Sequence, residues 1–416
     1  MINVLINAYA VSPSWGSEPG MGWNWILCIA KHCNVHVITE GEWKEEILNA
    51  IKTLPYKDNF HFYFNPVPDF VRSMCWNQGD WRFYKYYRTW QKGALKIARE
   101  IIANNQIDVI HQLNMIGFRE PGYLWKIKDI PIVWGPIGGF GSIPSGLLSG
   151  AGIKFRTFCK LKNLITDIQG RFGRRVGKMM DASYLIAATP DAKRSIESRV
   201  NKTVEILNET GIDLSRIPDL VANGPARTTF DIIWVGKFDF RKRLDLALKA
   251  VACAGNKNIR LHICGSGTSA QISMYKALSK ELNIDDQCVF HGVVPHENIL
   301  QMMSNCDIML FTSISDATST VVVEAINSTI PVLSFNLCGF GPIVKDFGGV
   351  TVEPTDSHEA VGQFADKIKE FISNPELLQS IKERQRESRY YLSWDYKGKR
   401  MLEIYSQLLD NKISTK

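Results

Sequence analysis

In the stretch SISDATSTVVVEAI, Ser313 to Ile326, two carboxylates, Asp316 and Glu324, stand eight positions apart. Small and hydroxylated residues fill the first half of the gap, and β-branched residues fill the second. This pattern places Asp316 in a loop after the apolar strand DIMLFTS and opens a helix at Thr318, Ser319 and Thr320. Backbone amides at a helix start, here those of Ala317 to Thr320, can bind an anion or hydroxyl oxygens. Glu324 then falls about one turn into the helix, where a carboxylate can accept hydrogen bonds from two vicinal hydroxyls. The plain structural alternative is a capping Asp and an incidental helical Glu.

Three further stretches carry chemistry of a matching kind. In WVGKFDFRKRLDLAL, Gly236 ends an apolar strand, and Lys237 and Lys242 flank a short loop before a helix. Two lysines at a strand-loop-helix junction make a diphosphate clamp, unless they are ordinary surface cations. In HICGSGTS, Gly265 and Gly267 let backbone approach a ligand closely, although a structural turn explains them as well. The third glycine of a dinucleotide fingerprint is missing, because Ala270 takes its place. In GSEPGMG, Gly16 to Gly22, the expected loop after the first strand brings Gly20, Gly22 and the polar Glu18 to one mouth. It lacks the Gly-Lys-Ser/Thr ending of a phosphate-binding loop, and a flexible loop is the alternative.

These residues need elements to position them. Short apolar β-branched runs alternate with amphipathic helices along the 416 residues, which is the pattern of parallel α/β sheets. The rhythm appears twice, so the expected fold is two Rossmann-like doubly wound domains. The boundaries expected are 1–207, a linker over 208–229 rich in Asn, Gly, Pro and Thr, 230–390, and a helix over 391–416 that returns to the first domain. Nine scattered cysteines without CxxC or zinc spacing read as buried reduced thiols, and thus a reducing, cytoplasmic compartment. The N-terminus reads as a strand rather than a signal peptide, and no apolar run reaches the ~18 residues of a membrane span. A net charge of +7 without a nucleic-acid-reading module excludes no class by itself but gives no support to nucleic acid as a partner.

Two basic segments lie in the first half. Val71–Glu100 interleaves Arg82, Lys85, Arg88 and Lys92 with Trp81, Phe83, Tyr84, Tyr86, Tyr87 and Trp90, and Lys154–Lys178 is basic with one acid, Asp167. Basic amphipathic helices with apolar side chains can lie on an anionic bilayer, so both segments are candidates for peripheral membrane contact. A solvated charged face over an aromatic core stripe is the alternative.

Taken in order, these pieces resemble the GT-B glycosyltransferases, in particular the large retaining family numbered four, also called glycosyl transferases group 1. The resemblance runs over nearly the whole chain and is strongest from Asp231 to Pro354. It rests on Gly236-Lys237 through Lys242-Arg243, on Gly265-Ser266-Gly267, on CVFHGVV, on Asp316 through Glu324 followed by EAINSTIPV, on the late CGFGPIV and GGVTVEP, and on GSEPGMGWNW. It implies a GT-B fold whose two domains face a cleft, with the donor in the second domain and the acceptor in the first. It implies that Lys237 and Lys242, beside Gly236 and Gly265, bind the donor diphosphate and stabilise the leaving group. Asp316 and the amides of Ala317, Thr318, Ser319 and Thr320 would meet the donor sugar, and Glu324 the ribose hydroxyls. Phe290 and His291 would lie near the base, and Gly20 and Gly22 near the donor phosphate and acceptor. His111 is a catalytic candidate because related enzymes use a first-domain histidine, with Leu113 as a competing equivalent. Glu18, Gly138 and Gly139 are candidates for the acceptor pocket.

The resemblance further implies retention of configuration and no metal or other cofactor beyond a UDP- or GDP-linked donor, with a glycan or lipid-linked glycan acceptor in surface polysaccharide or lipopolysaccharide synthesis. No Asp-x-Asp motif occurs. The chain departs from the family pattern at Asp316 for Glu, at Lys237 for Arg, and at Arg243 and Thr329, where Gly is usual. The rivals are a sugar-nucleotide epimerase of the same fold and a non-catalytic nucleotide-sugar-binding subunit. A dinucleotide oxidoreductase fits less well, lacking the third glycine and the ribose-binding acid.

Overall fold

The computed structural model describes residues 1–77, 80–115, 117–172, 174–216 and 228–414. Gln78, Gly79 and Gly173 of the two basic segments, and 217–227 of the expected linker, lie outside the described residues. The chain forms two compact units: Met1–Phe140 with Ile165–Gly211 and Ser393–Lys416, and Gly141–Leu164 with Ile212–Leu392.

Unit 1 is built on seven parallel strands: β1 (Ile2–Ala8), β2 (Cys33–Thr39), β3 (Phe60–Phe64), β4 (Val109–Asn114), β5 (Ile132–Ile137), β6 (Tyr184–Ala187) and β7 (Glu205–Ile206). Their order is β3-β2-β1-β4-β5-β6-β7, so the sheet reverses direction between β1 and β4. Val4 pairs in register with both Val35 and Val109. Side chains alternate across the sheet. Val4 and Ile6 pack on one face with helices Ser17–Ala30 and Trp394–Ser414, and Leu5 packs on the other with Phe83, Tyr87 and Trp90 of helix Phe83–Asn104. Burial on both faces is why the strands read as unbroken apolar runs.

Helix Trp394–Ser414 docks on Ser17–Ala30 at very short range. A Cβ on Gly398 would lie 2.4 Å from the Cys28 carbonyl oxygen. Trp25 and Trp394 meet edge to face at 5.7 Å, and Trp25 Nε1 donates to the Glu209 carbonyl at 2.8 Å. Lys397 is fully buried and donates to the Asn208 carbonyl at 2.9 Å and to its side-chain oxygen. Burial lowers the Lys397 pKa to about 8.

Unit 2 has six parallel strands: β8 (Phe230–Val235), β9 (Ile259–Cys264), β10 (Cys288–Gly292), β11 (Ile308–Phe311), β12 (Val332–Phe335) and β13 (Val350–Val352). The order β10-β9-β8-β11-β12-β13 reverses between β8 and β11. Ligands of doubly wound sheets bind at such a reversal, beyond the carboxyl ends of the strands.

Residues 141–164, assigned above to the first domain, group with unit 2. Leu147 is buried in the unit 2 core, and Phe155 meets Phe240 edge to face at 5.4 Å. Arg243 binds the segment through the Leu147 carbonyl at 2.5 Å. The units also change hands at Gly211/Ile212 and Leu392/Ser393, a few residues from the expected boundaries. No helix among the described residues is long and apolar enough to cross a membrane.

The contact at Gly398 generates a test. Gly398→Val should lower the stability of unit 1 by about 1–3 kcal/mol, read as a lower urea midpoint, because overpacking here meets backbone that cannot yield.

Candidate functional site

The unit 2 residues singled out from the sequence converge on the sheet reversal. Gly236 to Lys242 follow β8, and Ser313 to Thr320 follow β11. Lys242 Nζ lies 2.5 Å from Asp316 Oδ2, with side chains 17% and 24% exposed. Ser313 Oγ donates to the same carboxylate oxygen at 3.2 Å, and the Lys242 ammonium sits over the Phe311 ring at 5.3 Å. Thr312 Oγ1 donates to the carbonyls of Lys242 and Arg243, both at 2.9 Å, and accepts from Trp234 Nε1 at 3.0 Å. Ile314 N donates to the Arg241 carbonyl at 2.8 Å. The lysine loop and the acid loop are therefore stitched together by backbone and hydroxyl groups. Ser313, Thr312 and Phe311 complete the arrangement, and only the strand assignment hinted at them.

Helix Thr320–Asn327 starts at Ser319 with no side-chain cap, and Thr318 and Ser319 just before it are buried. Amides at an uncapped start are disposed to bind oxygen. Glu324 projects from this helix with its side chain 19% exposed, and His296 Nε2 lies 2.7 Å from Glu324 Oε1. Lys237 is exposed, and no ion pair engages it among the described residues. Both acids of the opening stretch are thus half-buried and each faces a cationic or imidazole partner.

The glycine loop has a structural cause. A Cβ on Gly265 would lie 1.7 Å from the Gly236 carbonyl oxygen, and one on Gly267 would lie 2.7 Å from Phe238 Cβ. Gly265 N donates to the Gly292 carbonyl at 2.8 Å. Helix Ser269–Glu281 is closed by a capping box between Thr268 and Gln271, so its first turn is already satisfied. Both glycines therefore serve the crossing of β8, β9 and β10 ends. Phe290 and His291 lie on the edge strand β10 beside that crossing. Asp231 Oδ1 stands 3.2 Å from His262 Nε2, and His262 Nδ1 stands 3.0 Å from His291 Nε2. The Asp231 carboxylate accepts from His262 Nε2, which links the edge-strand His291 to β8 through His262.

Arg243 and Thr329 both have left-handed backbone, with φ of 51° and 53°. That conformation explains a family preference for Gly and costs an ordinary residue roughly 1–2 kcal/mol. At Arg243 the side chain offsets the strain. Its guanidinium is buried, pairs with both Asp245 oxygens at 2.9 Å, and reaches Leu147 and Ser357.

In unit 1 the candidates change character. GSEPGMG is not a flexible loop: helix Ser17–Ala30 begins inside it, helped by Glu18 and Pro19 in the first turn. A Cβ on Gly22 would lie 2.4 Å from the Ala10 carbonyl oxygen, and one on Gly20 would lie 2.3 Å from that of Trp15. These glycines admit the preceding chain against the helix. Gly138 is buried and bridges to Gly117, and Gly139 beside it is exposed with φ of 85°. Glu18 is half-buried near the carboxyl end of β1.

His111 is fully buried in β4. Its Nε2 faces the Gly135 carbonyl at 2.8 Å, so that nitrogen carries the hydrogen, and Nδ1 accepts from Tyr405 OH at 2.7 Å. Both nitrogens are engaged within unit 1, a structural role that leaves the ring nothing to offer a substrate. Leu113 is likewise buried.

The fold is that of the GT-B glycosyltransferases. Over 98% of this chain and 100% of the other, it superposes on Anabaena HepE in complex with UDP, at a TM-score of 0.61 and 14% identity. The lipopolysaccharide outer core galactosyltransferase WaaB matches over 99% of this chain and 100% of the other, at a TM-score of 0.62 and 16% identity. At such identities the likeness speaks to the fold alone. The family described as Glycosyl transferases group 1 matches residues 219–388, so unit 2 carries a domain of that family. Lipopolysaccharide 1,6-galactosyltransferase of Escherichia coli is 32% identical over 135 residues, 31% of this chain and 36% of that protein. D-inositol 3-phosphate glycosyltransferase of Nocardia farcinica is 25% identical over 185 residues, 43% of this chain and 40% of that protein. The matched stretches span between 36% and 48% of the curated relatives.

The His111 geometry sets a pH dependence. Burial holds its pKa down at about 4 against an ordinary 6.5. The unfolded chain therefore takes up a proton below pH 6.5 that the folded chain refuses until about pH 4. The His111 contribution to stability should fall by about 3 kcal/mol across that window and change no further below it. Urea midpoints at pH 7 and pH 4.5 should differ less in His111→Gln than in the wild type.

Proposed function

We propose that the protein is a glycosyltransferase that moves a sugar from a nucleoside-diphosphate donor held by unit 2 to a glycan or lipid-linked glycan acceptor. The observation that carries this reading is the joining of Lys242, Asp316 and the uncapped start of the Glu324 helix at the sheet reversal. Cleaving the anomeric C–O bond leaves negative charge on the diphosphate and positive character on the sugar. A preset ammonium and backbone amides stabilise the first without reorganising, and Asp316 supports the sugar hydroxyls. Glu324 takes the ribose diol. Lys237, exposed at the same loop, completes the clamp. Gly236, Gly265, Phe290 and His291 frame the donor through backbone and base contacts. Retention of configuration and independence of metal belong to the reading through the family resemblance. Lipopolysaccharide or another surface polysaccharide is the product class, in keeping with the relatives named above, and Glu18, Gly138 and Gly139 remain the acceptor candidates.

The membrane side of the reading narrows to one segment. In Val71–Glu100 the rings of Phe83, Tyr87 and Trp90 are buried, and Arg88 pairs with Glu120 at 2.6 Å. That segment is mostly a charged face over an aromatic core. Helix Ile153–Phe172 differs. Phe158, Leu161, Leu164, Ile165 and Ile168 recur at helical spacing and are 40–59% exposed, and Lys154, Arg156 and Lys160 are exposed on the same helix. An apolar stripe edged by cations suits an anionic bilayer surface.

The donor reading is tested by thermal shift with UDP-, GDP-, ADP- and CMP-linked sugars. A rise with the UDP or GDP set is expected, and no rise with any would sink the reading. Glu324→Ala should weaken the responding ligand by an order of magnitude or more, and Lys242→Ala should lower turnover more than stability. Donor turnover without any acceptor would favour the epimerase. For the membrane contact, flotation with phosphatidylglycerol vesicles at low salt should carry the wild type upward and leave Leu161→Glu/Leu164→Glu at the bottom. A wild type that stays down removes that contact.

A further inference from the structure

Glu324 has a neighbour that the sequence did not single out. His296 opens helix His296–Ser304, and its Nε2 is 2.7 Å from Glu324 Oε1 on helix Thr320–Asn327. A carboxylate only accepts, so His296 Nε2 carries the hydrogen and donates it. The imidazole is 65% exposed. It is therefore not a packing residue.

From this geometry we infer that His296 is a positioning residue of the donor site. The inference rests on the reading of Glu324 as the ribose ligand. A glutamate on a helix surface has three rotatable bonds and loses rotamer freedom when it binds. The His296 hydrogen bond removes that freedom beforehand. It takes one acceptor direction of Oε1 and leaves Oε2 and the second direction of Oε1 for two vicinal hydroxyls. The carboxylate is thereby set for a ribose diol before the nucleotide arrives, which is affinity gained by preorganisation. The contribution is to ground-state binding of the nucleotide, so it enters KM for the donor and leaves kcat alone.

The experiment compares isothermal titrations of UDP and 2′-deoxy-UDP, or of GDP and 2′-deoxy-GDP if the thermal panel selects guanine. The proteins are the wild type, His296→Ala, His296→Gln and Glu324→Ala, with donor KM and kcat measured alongside. His296→Ala should raise the Kd of the ribonucleotide about three- to tenfold, the range of one hydrogen bond. The 2′-deoxy ligand keeps only one hydroxyl of the diol, so His296→Ala should weaken it less than it weakens the ribonucleotide. His296→Gln, which keeps an N–H donor, should restore the ribonucleotide Kd to within about twofold, and kcat should hold in both His296 variants. If Glu324→Ala binds both ligands as the wild type does, the ribose reading itself fails. If Glu324→Ala is weakened while His296→Ala matches the wild type, the ribose reading stands and the positioning role is overturned. Equal weakening of both ligands by His296→Ala would be a general disturbance of the site, and it too overturns the role.

Discussion

The buried guanidinium of Arg243 is the constraint on which unit 2 depends. One side chain ties together the start of helix Leu244–Ala254 through Asp245, the segment 141–164 through Leu147, and the start of helix Ser357–Ser373 through Ser357. Its own carbonyl accepts from Thr312 at the end of β11. A buried cation is tolerable only when every donor is answered, and here carboxylate, carbonyl and hydroxyl share the work. This residue holds a left-handed backbone, and the preceding Lys242 pairs with Asp316. Fold and site therefore meet at adjacent residues, Arg243 holding the elements together and Lys242 facing the acid.

Around that anchor, the charges of the site are arranged in pairs before any ligand is considered. Lys242 and Asp316 lie in contact, as do His296 and Glu324. Pairing keeps half-buried charges from being left unsolvated, and it fixes long side chains that would otherwise wander. Lysine 237 is the contrast, an exposed cation at the mouth of the same loop.

Much of this was legible in the sequence, for identifiable reasons. Parallel strands buried on both faces, such as INVLINA and FDIIWV, are uniform apolar runs, and the loops after them carry the polar residues that the sheet reversal gathers. Asp316, Glu324 and Lys242 stood out as polar residues placed after apolar strands, and the structure sets Lys242 against Asp316. Strand β3, FHFYF, departs from that uniform apolar pattern, because its aromatic residues sit half-exposed at the sheet edge and no β-branched residue occurs in it. The glycines of GSEPGMG misled because glycine in a helix start looks like a loop until the crowding carbonyls of Ala10 and Trp15 are seen. His111 looked reactive at a strand end, but only the tertiary structure brings Tyr405 and Gly135 to its two nitrogens. The grouping of 141–164 was invisible because it rests on Arg243, a contact of long sequence range.

The docking of helix Trp394–Ser414 onto Ser17–Ala30 has a consequence for the order of events during synthesis. Unit 1 receives its closing element from the far side of unit 2, because residues 212–392 intervene between its second stretch and its last. While the chain emerges from a ribosome, helix Ser17–Ala30 must wait with Trp25 and Cys28 uncovered by their partner helix until the whole of unit 2 has been made. Unit 2, apart from 141–164, is contiguous and can settle in one pass. Unit 2 would then be finished first, and the earliest-translated unit last.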